Sequence, residues 1–266
     1  MKSLNLGFSP CPNDTFIFHG MTHNLVDTRG YDFELTIADV EELNSLARNL
    51  YCDITKLSFH AWLRLRESYE ILDSGAALGY GCGPLVVSGG RRLKEDSVIA
   101  LPGKWTTAAL LFRIYAPQCK NLRYERFDLI MPKIASGEYD AGVIIHEGRF
   151  VYKNYNLELI EDLGNWWERK TSMPIPLGCI AIKREHGYRL KSDIEEIIKD
   201  SVLYAMKNRE SSRNFIKSHS AELDDNVINE HIALYVNDFT ISLGRDGREA
   251  IEILKRHAID AGIIGV

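Results

Sequence analysis

Among the eight histidines of the chain, His146 is the one best placed to take a proton. It directly follows Ala141-Gly142-Val143-Ile144-Ile145, a continuous apolar run that reads as a buried strand. In open α/β sheets, ligands bind outside the carboxyl ends of strands. An imidazole there has an ordinary pKa of about 6.5, which suits a general base. The same position also suits a hydrogen-bonded structural histidine, and the residue types alone leave both open. Strand alternation would send His146 and Glu147 to opposite faces, so Glu147 is no orienting partner unless the strand has already ended. The remaining histidines have no metal-ligand spacing. No HExxH, P-loop or GxGxxG pattern occurs, so neither a metal nor an organic cofactor is expected.

Three further loops follow strand patterns and lead into helix starts: Ser9-Pro10-Cys11-Pro12-Asn13-Asp14-Thr15, Lys56-Leu57-Ser58, and Gly103-Lys104-Trp105-Thr106-Thr107. Unpaired N–H groups and the helix dipole make such starts attractive to carboxylates and phosphates. Ser58, Thr106 and Thr107 add hydroxyls, and Lys56 adds charge. Thr106–Thr107 is the first choice for holding a carboxylate, and Lys56–Ser58 the second. Each hydroxyl could equally be a plain helix cap. Ser9 or Asn13 could cap the first helix, and two prolines stiffen that loop. Cys11 reads either as a reactive thiol or as a buried structural one. Trp166-Trp167 reads either as a cover for a flat ring or as core packing.

These loops need a frame that brings them together. Strand patterns at Leu4–Phe8, Tyr31–Ile37, Asp53–Leu57, Ser97–Leu101 and Ala141–Ile145 alternate with helical patterns, which argues for an α/β protein with a largely parallel sheet. Asp39-x-x-Glu42 and Ser192-x-x-Glu195 resemble capping boxes. The chain crosses near Pro84–Gly90 and again near Pro174–Lys183, and the residues between carry their own βαβ pattern. The expected organisation is a discontinuous domain of residues 1–87 and 176–266, with residues 88–175 inserted as a second. Two lobes joined by a double hinge form a cleft that can close on a small ligand.

Composition narrows the function classes. With 45% hydrophobic and 26% charged residues over 266 positions, the chain is an ordinary soluble globular protein. A net charge of −5 and the absence of a long basic run argue against nucleic-acid binding. The five cysteines are odd in number and lack CxxC spacing, so reduced thiols are expected. No stretch approaches the roughly 18 apolar residues of a membrane span. The first residues lack a secretion-signal pattern, so a cytoplasmic location is expected.

Several of these segments resemble one known family. Leu6-Gly7-Phe8-Ser9-Pro10-Cys11-Pro12-Asn13-Asp14-Thr15-Phe16-Ile17-Phe18 is similar to the opening of 1,4-dihydroxy-6-naphthoate synthases. The resemblance continues through Thr55–Ser58, Gly75–Gly79, Gly83–Val87, Pro102-Gly103 with Thr106-Thr107, Ala141–Glu147, Asp162-Leu163-Gly164 with Trp166-Trp167, Pro174–Gly178 and Tyr235-Val236-Asn237. It implies a two-lobed fold like the type II periplasmic binding proteins. It implies conversion of cyclic dehypoxanthine futalosine to 1,4-dihydroxy-6-naphthoate and dihydroxyacetone in menaquinone biosynthesis, without metal or organic cofactor. By resemblance His146 is the proton acceptor, and Lys56, Leu57, Ser58, Thr106 and Thr107 contact substrate. A chorismate dehydratase of similar fold and a solute-binding protein without chemistry are the alternatives. The base candidate at the cleft and the missing signal argue against the second.

Overall fold

The structure, a computed structural model, describes residues 2–220 and 224–265. The chain opens with β1 (Lys2–Phe8), α1 (Pro12–Thr22), β2 (Tyr31–Ile37), α2 (Val40–Arg48), β3 (Ile54–Ser58) and α3 (Phe59–Leu65). Short strands β4 (Tyr69–Ile71) and β5 (Ala77–Gly79) precede β6 (Leu85–Ser88). The middle runs through β7 (Ile99–Leu101), α4 (Thr107–Tyr115), β8 (Leu122–Tyr124), α5 (Phe127–Ala135), β9 (Ala141–Ile144), α6 (Gly148–Val151), β10 (Glu158–Asp162) and α7 (Leu163–Thr171). After β11 (Ile175–Lys183) the chain is helical: α8 (Gly187–Lys207), α9 (Arg213–His219), α10 (Asp225–Tyr235), α11 (Asp238–Ile241) and α12 (Gly244–Asp260).

The strands form two sheets. One is six-stranded in the order β2-β1-β3-β11-β4, with β5 also paired to β11; the other is five-stranded in the order β10-β6-β9-β7-β8. Leu4–Phe8 and the Ile99–Leu101 strand therefore lie in different sheets. Both sheets are mixed rather than largely parallel. β1 runs parallel to β2 and β3, and β7 to β8 and β9, as the β–α alternation requires. The antiparallel pairs all involve β6 or β11, the strands adjoining the two crossings. The expected division at 87/88 falls inside β6, and all of β6 pairs within the second sheet. On strand pairing the first crossing therefore lies at Tyr80–Pro84.

That crossing is tight. A Cβ on Gly83 would sit 2.7 Å from the backbone of Gly164, and one on Gly164 would sit 2.0 Å from the Cys82 carbonyl oxygen. Both positions need glycine so that α7 can press on the crossing segment. Trp167, fully buried, fills the core behind it and donates from its indole to the Pro174 carbonyl at 3.3 Å.

Local signals explain most helix starts. Pro12 opens α1 at a position where its missing N–H costs nothing, and burial of every residue from Pro12 to Met21 places the helix inside the molecule. Asp39 caps α2 by accepting from the N–H groups of Glu41 and Glu42. Ser192 does not start a helix, because α8 is already running from Gly187. Glu195 turns instead to the Asp73 N–H, at 2.9 Å, and to Lys191. All five cysteines are free and buried. Among the described residues no helix is long and apolar enough to cross a membrane.

Candidate active site

A cavity of about 90 Å³ lies where loops from the two sheets meet. The first sheet contributes Ser9, Asn13, Asp14, Lys56 and Ser58 with His231 and Tyr235 of α10; the second contributes Thr106, Thr107 and His146. Every expected site residue but one lines it. The exception is Leu57, which is fully buried in the core. Lys56 and Ser58 share one face of β3, so the residue between them must point the other way. Trp166 and Trp167 are also absent from the lining and pack in α7.

His146 is held in an unusual backbone. β9 ends at Ile144, and His146 has φ of +56°, in the left-handed region. A non-glycine residue held there costs about 1–3 kcal/mol and persists only where its surroundings enforce it. Arg149 supplies that enforcement. Its guanidinium donates to the carbonyls of Gly83 (2.8 Å) and Gly81 (3.1 Å) and pairs with Asp162 at 2.6 Å. The turn carrying His146 is thereby tied to the first crossing. Because the strand has ended, alternation no longer separates His146 from Glu147.

The imidazole packs edge-on against Phe127 at 5.1 Å, and its Nδ1 lies 3.3 Å from the Cys11 sulfur. Desolvation pulls the pKa of His146 below the ordinary 6.5, while the negative charges of Glu147 and Asp14 oppose that shift. The ring is therefore neutral near pH 7. Burial, reinforced by Asp14 and Glu147, drives the Cys11 thiol far above its usual range, so it stays protonated.

Asp14 organises the opposite wall. Its carboxylate accepts from Lys56 Nζ (2.6 Å), Asn13 Nδ2 (2.8 Å), Ser9 Oγ (2.7 Å) and the Ser9 backbone N–H (3.2 Å). Lys56 and Asp14 form a buried pair. Ser9 and Asn13 thus serve Asp14 and do not cap α1, whose cap position is Cys11 with no side-chain bond. Asn13 Oδ1 continues the network to His231 Nε2 at 3.0 Å.

The hydroxyls of the third and fourth walls are largely engaged. Ser58 caps α3, accepts from Asn44 and donates to the Trp105 carbonyl. Thr106 caps α4, accepting from Ala109 N. Thr107 donates to the Leu177 carbonyl at 2.6 Å, linking α4 to β11 of the other sheet. The N–H groups of Thr107 and Ala108 precede the first intrahelical bond and have no partner within the helix. Both residues line the cavity, and free N–H groups at a helix start attract anions.

Asp14, His231 and Tyr235 were missed by sequence reasoning. Asp14 stood inside the quoted first loop without a role. His231 and Tyr235 are four apart on α10, one helical face, but nothing local ties them to Asn13. Elsewhere Asp53, Glu185 and His186 offer ligand atoms within 4.8 Å of one another, a cluster that spacing did not suggest. Lys183 already pairs with Asp53 there at 3.2 Å, so the group reads as an ion-pair network.

Two lobes with a lined cavity between them define the class of periplasmic-binding-protein-like α/β folds. A structure from Candida albicans, described as having the generic periplasmic binding protein fold, superposes with a TM-score of 0.74 at 11% identity, covering 100% of this chain and 92% of that one. A protein from Archaeoglobus fulgidus superposes with a TM-score of 0.93 at 32% identity over 98% of both chains. A family profile described as menaquinone biosynthesis matches residues 4–260. The 1,4-dihydroxy-6-naphthoate synthase of Thermus thermophilus is 42% identical, covering 99% of this chain and 96% of the relative. That of Streptomyces coelicolor is 37% identical, covering 98% and 95%. The chain belongs to the 1,4-dihydroxy-6-naphthoate synthase family of menaquinone-biosynthesis enzymes.

Proposed function

We propose that this chain is a cytoplasmic lyase that converts cyclic dehypoxanthine futalosine to 1,4-dihydroxy-6-naphthoate and dihydroxyacetone, with His146 as proton acceptor and no metal or organic cofactor. Family membership supports the reaction. The observation that carries the residue assignment is a neutral imidazole, held by a constrained turn, lining the cavity opposite Asp14 and Lys56. The substrate is a carboxylate-bearing bicycle joined to a sugar-derived ring. Its carboxylate seats on the N–H groups at the start of α4. His146 takes a proton, the carbon–carbon bond to the sugar-derived fragment breaks, and the second ring becomes aromatic. Aromatisation drives the step, so the protein needs mainly a base, positioning and a water-poor site.

The cavity is smaller than the roughly 300–1,000 Å³ usual for ligand sites. The reading is tested by incubating purified protein with cyclic dehypoxanthine futalosine, with and without chelator, and following naphthoate and dihydroxyacetone by mass spectrometry. Both products at equal rates in the two arms are expected. Binding without turnover would leave a solute-binding protein, and chelator-sensitive turnover would end the cofactor-free mechanism.

A further inference from the structure

We propose that His231 is a hydroxyl-reading contact, whose Nδ1 lone pair accepts an O–H of the bound ligand close to the reacting carbon. The argument starts at Asp14. Asn13 Nδ2 donates to Asp14 Oδ1, because a carboxylate held by Lys56 can only accept. The amide orientation is thereby fixed, and Asn13 Oδ1 faces His231 Nε2 at 3.0 Å. An oxygen can only accept, so Nε2 must carry the proton. In a neutral ring Nδ1 is then a bare acceptor. The ring is neutral: burial above all, with the charge of Lys56, lowers its pKa to about 3.

That acceptor has no partner. His231 Nδ1 and His19 Nδ1 are the buried side-chain nitrogens or oxygens without a hydrogen bond among the described residues. His19 packs against His23 and Phe215 away from the cavity, whereas His231 lines it. A buried unpaired acceptor is unfavourable, and a ligand that brings a donor relieves it. The ligand's carboxylate cannot do so, since both groups offer lone pairs. Lys56 beside it disfavours a cationic donor. A neutral hydroxyl remains. The His231 ring stacks 6.4 Å from that of His146, which puts the accepted hydroxyl near the bond that breaks. His231 would thus set the ligand's direction, hydroxyl end inward and carboxylate end toward α4. The ligand's identity and the nearness of the hydroxyl to the reacting carbon rest on the lyase reading; the hydroxyl contact itself does not.

Two substitutions separate this role from a structural one. In His231→Gln the side-chain amide reaches the Nε2 position and keeps the bond to Asn13, but nothing occupies the Nδ1 position. In His231→Asn the amide oxygen falls near Nδ1, and the bond to Asn13 is lost. We expect His231→Gln to raise KM for cyclic dehypoxanthine futalosine at least tenfold, and His231→Asn to recover most of that loss. The reverse order, or no change in either, would overturn the proposal.

A second readout needs no turnover. In the ¹⁵N spectrum of the native protein, His231 Nδ1 should be unprotonated and Nε2 protonated from pH 5 to 8. Its Nδ1 signal should move upfield with glycerol, which has hydroxyls and no carboxylate. It should stay put with 2-naphthoate, which has a carboxylate and no hydroxyl. A protonated Nδ1, or no response to glycerol, sinks the proposal even if the protein proves to be the lyase. If the protein shows no turnover but both spectral results hold, the lyase reading fails and the hydroxyl contact stands.

Discussion

His146 and His231 face one cavity with nearly parallel rings, yet their attachments make them different reagents. His146 sits on a turn of the second sheet, beside a weak thiol partner and within the field of Glu147 and Asp14. His231 sits on a helix over the first sheet, tied through Asn13 to Asp14. Burial lowers both pKa values and Lys56 lowers both further, but carboxylates oppose the shift only at His146. A ring that must take a proton needs nearby negative charge to hold it. A ring that must only accept a hydrogen bond is better kept from protonation altogether. The difference therefore lies in charge placement, since residue type and depth are alike.

The strongest way to break the comparison is to remove the proton acceptor. His146→Asn should lower kcat by about 10²–10⁴ with little change in KM, measured at steady state. In the native enzyme kcat/KM should fall as pH drops through the pKa of His146. Because that pKa is depressed, the fall should lie below pH 6.5. If His231→Asn lowers kcat as much as His146→Asn does, the division of labour is wrong.

The shared anchor is next. Asp14→Asn leaves the Lys56 ammonium buried without its counter-charge, and such a change costs about 3–5 kcal/mol. The denaturation midpoint should fall accordingly, at unchanged m-value. A variant of native stability would mean that the carboxylate does not hold this wall together.

The depressed pKa of His231 also shapes stability. At pH above 6.5 the ring is neutral in both folded and unfolded chains and contributes no pH dependence. As pH falls from 6.5 toward 3, the unfolded chain takes a proton that the folded one refuses, so stability is lost. His60, lowered to about 4 mainly by burial, acts in the same direction. Each ring should contribute about 2 kcal/mol of loss between pH 6.5 and 5. Denaturant unfolding across that range should show a shallower slope in His231→Gln than in native protein. An unchanged slope would mean that His231 can take a proton in the fold.

Thr107 sharpens a different edge, the seat against the hinge. Its hydroxyl holds Leu177, while its N–H group, at the first position of α4, has no bond within the helix. Thr107→Val removes the first and keeps the second. A KM change of only about threefold is expected, because one neutral hydrogen bond contributes about 1 kcal/mol or less net. A rise of a hundredfold would show that the hydroxyl itself holds substrate.

How much of this was legible in the sequence depends on chain distance. His146, Ser9 and Thr106 follow strand patterns and Lys56 lies near the end of one, and strand ends are where α/β folds gather ligands. The alternation that misled at Leu57 was itself readable, because choosing Lys56 and Ser58 already excluded the residue between them. Asp14 needed its partner to be seen, and Lys56 lies 42 positions away. His231 lies 218 positions from Asn13, in a helix whose pattern says only that one face is buried. The mixed sheets were hidden for a related reason. Local β–α alternation reports how neighbouring strands pair but not how β6 and β11 run where the chain crosses between sheets.

Cys11 offers the smallest effect and a sharp test. A thiol 3.3 Å from an imidazole looks like a nucleophilic pair, in which proton transfer yields thiolate and imidazolium. The electrostatics oppose it. Asp14 and Glu147 both raise the thiol's pKa, burial raises it further, and Lys56 and a hydrogen bond from Ser9 offset only part of this. A protonated thiol can support the ring as a weak partner but cannot attack. Cys11→Ala should therefore lower kcat by no more than about fivefold, the scale of one weak hydrogen bond. The native thiol should resist iodoacetamide at pH 8 on the time scale of an exposed cysteine's labelling. Rapid alkylation of native protein with loss of activity, matched by an inactive Cys11→Ala, would show a thiolate at work. His146 would then be the activating base of a nucleophile and no longer the acceptor of a substrate proton.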